Sequence, residues 1–375
     1  MRKLTLWTAC VLSAGFLTGF TASAEPVTVP VLAPITGFLA LEGGAQRNGA
    51  LLAADHAGDG IIKADVQDTT TAPAVAVSAF RRALRDGLPP AMLGPILGSQ
   101  MLALLPLADA EGLPILTISG TAKLTAMGSP NIFRFFPGDV VVKAAHARYA
   151  VEDLGIKAPA IIYQTTAYGQ SGRAELVANL KKLGVTPVYE EGVPPSAKDL
   201  TSALAKARAA GADGLLLHLH GGPTALAVRQ AFELGMDLPI VAGSAMHQPT
   251  TAALLDPAML KGVCAESGSA PAAETDGPGK TFADAYRARF NQEPDAFALA
   301  EYDAMGMLAA ALKSGAKNPA DVRKALAEMR YPGVAMTYRT NGRGDMAHDA
   351  VIVCYDGDSH RARIAKRYQA LDGVQ

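Results

Sequence analysis

Two short apolar runs in this chain break into glycine and hydroxyl residues, and such breaks can hold a small ligand. The first is Gly94-Pro95-Ile96-Leu97-Gly98-Ser99 and the second Ile118-Ser119-Gly120-Thr121-Ala122. Residues 91–96 read as a buried strand, and 101–111 as a helix with Leu102, Leu105 and Ala108 on its apolar stripe. Residues 114–119 repeat the strand pattern. The free N–H groups of a helix start attract a carboxylate. In an open α/β sheet, ligands bind beyond the carboxyl ends of the strands. Ser99 and Thr121, with Gly98 and Gly120 beside them, therefore read as half of a small-molecule site. Each hydroxyl can equally serve only as a helix cap.

The elements that must position these residues alternate. Strands are expected at 27–33 and 64–68 and helices at 46–56 and 74–86, ahead of the two units above. An aromatic stretch, Asn131-Ile132-Phe133-Arg134-Phe135-Phe136-Pro137-Gly138-Asp139, interrupts the pattern and reads as a crossing between domains. A helix at 142–154 leads into a second series of strands (158–163, 185–190, 214–218, 239–242) and helices (171–183, 198–210, 224–234). A further crossing is expected near Val263. Helices follow at 281–290, 297–314 and 320–329, then a β-like tail at 335–355 with the turn Asn341-Gly342. Strands alternating with helices imply βαβ units and a parallel sheet. Two series of similar size imply two lobes with a cleft between them.

The ends and composition narrow the class. Arg2 and Lys3 precede the uncharged run 4–20, and Ala22-Ser23-Ala24 has the form of a cleavage site. Residues 1–24 read as a secretory signal peptide, so the mature chain starts at Glu25 and resides in the periplasm. Without Arg2 and Lys3 there are 32 basic residues against 35 acidic, a net charge of −3. A near-neutral chain without a basic cluster offers nothing to nucleic acid. Cys264 and Cys354 sit in apolar β-like runs. They can pair after export, but two buried thiols is the preferred reading.

These residues together resemble the type I periplasmic binding proteins of the leucine/isoleucine/valine-binding group, the solute receptors of branched-chain amino-acid-type ABC importers. The resemblance rests on Pro34-Ile35-Thr36-Gly37-Phe38-Leu39-Ala40 with Arg47-Asn48-Gly49-Ala50, and on residues 94–99. It rests equally on Ile118 to Ala122 with Leu124-Thr125, on Phe133-Arg134 with Pro137 and Asp139, and on Tyr168-Gly169. It implies two Rossmann-like lobes joined by three crossings, with the ligand caught as the lobes close. It places residues 25–140 and 264–334 in the first lobe and 141–263 and 335–375 in the second. It implies that Ser99 and Thr121 hold a ligand carboxylate and that Tyr168 closes over it. It also implies an ABC permease as partner, a monomer, and neither cofactor nor metal.

Three departures bear on the ligand. The family's amino-acid binders carry a glutamate on the second lobe for the ligand ammonium, and its place falls on Ala245. A buried ammonium without an anionic partner is costly, which favours an acid lacking an α-amino group. His218, His220 and His247 end neighbouring strands and can face the cleft as donors to a carboxylate or carbonyl. A zinc site built from the three ranks below that, and exposed loop histidines account for them as well. Glu42 stands where the family often has an aromatic wall. It can replace the missing carboxylate, but a water-facing rim position is the preferred reading. Asp199, Glu266, Glu301 and Asp303 read as single carboxylates, the last two as charge at a helix start. No nucleophile elbow, metalloprotease motif or phosphate loop is present, so the chain reads as a binder rather than an enzyme. An exported sensor of the same fold is the alternative.

Overall fold

The structure, a computed structural model, describes residues 25–57 and 60–371. The expected signal peptide lies outside them. Strands β1 (Val27–Ala33), β2 (Ile62–Asp68), β3 (Met92–Gly94), β4 (Ile115–Thr117) and β5 (Ile132–Arg134) form one parallel sheet in the order β2-β1-β3-β4-β5. Helices α1 (Ala40–His56), α2 (Pro73–Ala83), α3 (Gly98–Glu111) and α4 (Lys123–Ala126) connect them. The short strands β3 and β4 are fully buried, which explains why they read as continuous apolar runs rather than alternating ones.

The second series runs α5 (Asp139–Arg148), β6 (Pro159–Gln164), α6 (Ala167–Lys182), β7 (Tyr189–Val193) and α7 (Thr201–Ala209). It continues through β8 (Gly214–His218), α8 (Gly221–Glu233), β9 (Ile240–Ala242), α9 (Pro249–Ala252) and β10 (Val263–Ser267). Helices α10 (Gly277–Phe290), α11 (Ala296–Lys313) and α12 (Pro319–Glu328) then return to the first lobe, where α11 lies along α1. The hairpin β11 (Tyr331–Pro332) and β12 (Thr337–Tyr338) precedes β13 (Ala350–Cys354) and β14 (Arg363–Tyr368). The second sheet has the order β14-β13-β10-β9-β8-β6-β7, in which β13 pairs antiparallel with both β10 and β14.

Residues 263–265 pair with β9 and residues 264–267 with β13, so the second sheet continues to Ser267. On the way back, Asp345 bridges to Arg134 and Tyr338 packs on Phe135. The cysteines are not free thiols. Cys264 and Cys354 face each other across β10 and β13 and form a disulfide that closes a separation of 90 residues.

Candidate functional site

The carboxyl ends of β3, β4, β8 and β9 converge on a cavity between the lobes. Leu39, Ile96, Leu97, Phe136, Val142 and Phe297 supply much of its wall. Its polar faces come from Glu42, Asp139, Tyr168, His220 and Ser244, with the Gly120 backbone between them.

The strand-end loop at 119–121 is fixed from beneath. The buried Arg134 guanidinium donates through Nη1 to the carbonyls of Thr121 at 2.9 Å and Gly120 at 3.2 Å, and through Nη2 to Thr125 Oγ1 at 3.0 Å. Asp345 holds the other edge of that guanidinium. Thr121 Oγ1 sits so close over Gly98 that a Cβ there would lie 2.0 Å away, so only glycine allows α3 to begin here. The hydroxyls of Ser119 and Thr121 are buried, and among the described residues neither has a hydrogen-bond partner. Ser99 lies in the first turn of α3 rather than ahead of it, half-buried and off the cavity wall. Gly98 backs Thr121, and Gly120 reaches the wall itself.

Across the cavity, Tyr168 lies between two histidines, with centroids 3.9 Å from His218 and 5.0 Å from His220. His218 is buried and its Nε2 donates to the Tyr168 carbonyl at 3.1 Å, so it supports the tyrosine and does not line the cavity. His220 does line it, and burial pushes its imidazole down to about 3, which keeps it neutral. It precedes α8, and its Nε2 lies 3.4 Å from Thr166 Oγ1. His247 faces elsewhere. Its Nδ1 donates to the Ser244 carbonyl, and its Nε2 accepts the Ala296 N–H at 2.9 Å, so both ring nitrogens are spent inside the fold. No group of three or more His, Cys, Asp or Glu among the described residues is placed to hold a metal ion.

Glu42 is not at a water-facing rim. It is 2% exposed, and its Oε1 accepts the Gly221 N–H at 2.9 Å. A first-lobe carboxylate thus caps a second-lobe helix, while Oε2 has no partner. Burial pushes the carboxyl up to about 7, against the hydrogen bonds it accepts. Further hydrogen bonds span the lobes. The Ala122 N–H donates to Ser171 Oγ at 2.8 Å, the Ala296 N–H to His247 as above, and Gln248 Nε2 to Asp295 Oδ2 at 2.6 Å.

The residues missed by sequence reasoning lie under the second-lobe wall. Glu266 on β10 is buried beside Lys143 of α5, accepts from His146 Nδ1 at 2.8 Å and receives Ser244 Oγ at 3.2 Å. Burial alone would raise its carboxyl, but Lys143 and then His146 hold it well below the usual range. Asp139, at the first crossing, is 1% exposed, lines the cavity and lies 4.0 Å from His218. Burial raises its carboxyl to about 7 against the pull of Lys143. Its signals in the sequence were its part in the first-crossing motif and its helix-starting place after Pro137-Gly138. Glu301 is not at a helix start. Its helix begins at Ala296, capped by Asp295, and Glu301 is buried against Gln46 at 3.0 Å. Asp303 accepts from the Val334 and Ala335 N–H groups and from the Tyr338 hydroxyl.

A cavity at facing strand ends, closed by lobes that hydrogen-bond to each other, defines a solute-capturing protein of two Rossmann-like lobes. The periplasmic binding protein family model matches residues 26–359. The chain belongs to this family, in its type I, branched-chain amino-acid group. It is 25% identical to the leucine-, isoleucine-, valine-, threonine- and alanine-binding protein of Pseudomonas aeruginosa, over 97% of this chain and 98% of that one. It is 29% identical to an amino acid binding protein of the same organism, over 88% and 90%. The fold matches the isoleucine complex of a branched-chain amino acid transporter substrate-binding protein from Streptococcus pneumoniae at TM-score 0.82, 24% identity, 91% of this chain and 100% of that one. It also matches a solute-binding protein from R. palustris in complex with benzoate at TM-score 0.83, 17% identity, 92% and 97%. The chain is accordingly a solute-binding protein of the ABC-transporter type and not an enzyme.

Proposed function

We propose that this protein captures a small carboxylate-bearing solute in the periplasm by closing its lobes over it, and delivers it as a monomer to the permease of an ABC importer. The observation that carries this reading is the pair of buried hydroxyls, Ser119 and Thr121, without a partner among the described residues: they flank Gly120, which lines the cavity, and Thr121 lies against Gly98 at the start of α3. A buried hydroxyl without a partner costs about 1–3 kcal/mol, and a carboxylate placed at the α3 N-terminus removes that cost. Tyr168 and His220 form the opposing wall, and the apolar residues accept the rest of the solute. Relatives support the anion: isoleucine and benzoate, bound by two proteins of the same fold, share only a carboxylate. In this reading the first lobe comprises residues 25–138 and 268–346, and the second 139–267 and 347–371. The disulfide fits an oxidising compartment such as the periplasm.

A thermal-shift screen of the chain from Glu25 against amino, keto and aromatic acids tests this. A ligand at 100 times its Kd stabilises the fold by about 2.7 kcal/mol. Stabilisation by an acid but not by its methyl ester or amide supports the reading. Indifference to every acid, or equal response to acid and ester, contradicts it.

A further inference from the structure

Glu42 and Asp139 are two carboxylates on the wall of one cavity, and neither is fully satisfied. Glu42 Oε2 and both oxygens of Asp139 are buried without a hydrogen bond of full geometry among the described residues, with Lys143 and the Ser171 hydroxyl the groups nearby that favour the Asp139 charge. The cations nearby are spent elsewhere. Lys143 is bonded to Glu266, and Arg134 to the 120–121 carbonyls and Asp345. Glu42 and Asp139 line the cavity together with Tyr168. Asp139 Oδ1 would lie 3.2 Å from a Cβ at Gly120, which puts it at the strand-end loop. Ala245, on the same wall, supplies no charge.

An unpaired buried carboxylate carries a large desolvation cost, and a cation delivered into the cavity offsets it. We propose that Glu42 and Asp139 form an acidic clasp for a protonated amine of the solute, so that the ligand carries an ammonium group as well as a carboxylate. The clasp rests on the solute-binding reading above and reverses the preference for amine-free acids that Ala245 alone suggests. It moves the anionic partner from the 243–247 loop to the start of α1 and the first crossing. Glu42 has a second task, since the oxygen that caps α8 belongs to the carboxylate that meets the amine. Amine binding and lobe closure are thereby coupled through one side chain.

The test is isothermal titration of the chain from Glu25 with matched sets: α-amino acids, the corresponding α-keto and deaminated acids, and the corresponding carboxylate-free amines. The clasp predicts at least one amino acid that binds ten-fold or more tighter than its keto and deaminated counterparts. In Glu42→Gln and Asp139→Asn that ratio falls towards one. The glutamine keeps an acceptor for the Gly221 N–H, and circular dichroism confirms that each variant folds. A keto or deaminated acid that binds as tightly as the amino acid overturns the clasp and leaves the solute-binding reading standing. Amines that bind without a carboxylate support the clasp and overturn the carboxylate site. No heat with any member of the sets contradicts both. Because the decisive comparison is between ligands on the unaltered protein, a variant that fails to fold does not remove it.

Discussion

Glu42 Oε1 accepts the backbone N–H of Gly221 at 2.9 Å, and this bond joins the first turn of a first-lobe helix to the first turn of a second-lobe helix. The carboxylate meets the positive end of α8, where an anion is favourable by about 0.3–1 kcal/mol and up to ~2 when partly buried. One of the groups that joins the lobes thus also lines the cavity between them.

Glu42→Ala removes the cap and leaves the α8 start unsatisfied. Ligand affinity should fall about ten- to hundred-fold, in line with ~1–3 kcal/mol for a lost buried partner. Small-angle scattering should show a larger radius of gyration than wild type at equal ligand concentration. Unchanged affinity and radius would mean that the bond contributes nothing to closure.

The Lys143–Glu266 pair should behave as a buried ion pair does. Lys143→Met leaves the Glu266 charge uncompensated and should cost about 3–5 kcal/mol in urea unfolding. Lys143→Met with Glu266→Gln should recover much of that loss. A single variant as stable as wild type would show that the pair is not fully desolvated.

Glu301 gives a signed pH effect. Burial raises its carboxyl to about 8 from an ordinary value near 4.5, and Gln46 is the hydrogen-bonding group that faces it. A raised carboxyl favours the protonated folded state, so its contribution is complete below about pH 4.5 and is lost as pH rises through about 8. Glu301→Gln should match wild type near pH 5 and exceed it near pH 9, by on the order of 3 kcal/mol. Parallel stability curves across that range would contradict the assignment.

The disulfide closes a long loop, and replacing Cys264 and Cys354 with serine should cost about 2–4 kcal/mol. Thermal unfolding with and without dithiothreitol checks this. The wild-type midpoint should drop on reduction, and that of the double variant should not move.

Local pattern carried much of the fold. The glycine-hydroxyl breaks after β3 and β4 marked the loops that meet at the cavity, because buried strands and helix starts each leave a signature over a few residues. What could not be read was set by partners far along the chain. Glu42 reads as a surface residue until Gly221 is brought to it across 179 positions. Glu266 has no visible partner until Lys143 arrives from 123 positions away. The cysteine pair depends on an antiparallel register between β10 and β13 that no local spacing reveals. Glu301 likewise reads as helix-start charge until Gln46 of α1 is brought to it across 255 positions. His247 sits in the expected loop, but its ring turns to α11 instead of the cavity.

The most direct test of the central claim is calorimetric titration of wild type, Thr121→Val and Tyr168→Ala with the acid that stabilises the protein most. Binding between the lobes predicts one site per chain, weakened about ten- to hundred-fold in Thr121→Val if the carboxylate loses its donor, and weakened again in Tyr168→Ala while the ligand-free fold persists. One site per chain with wild-type affinity in both variants would place the solute elsewhere on the protein and contradict the account.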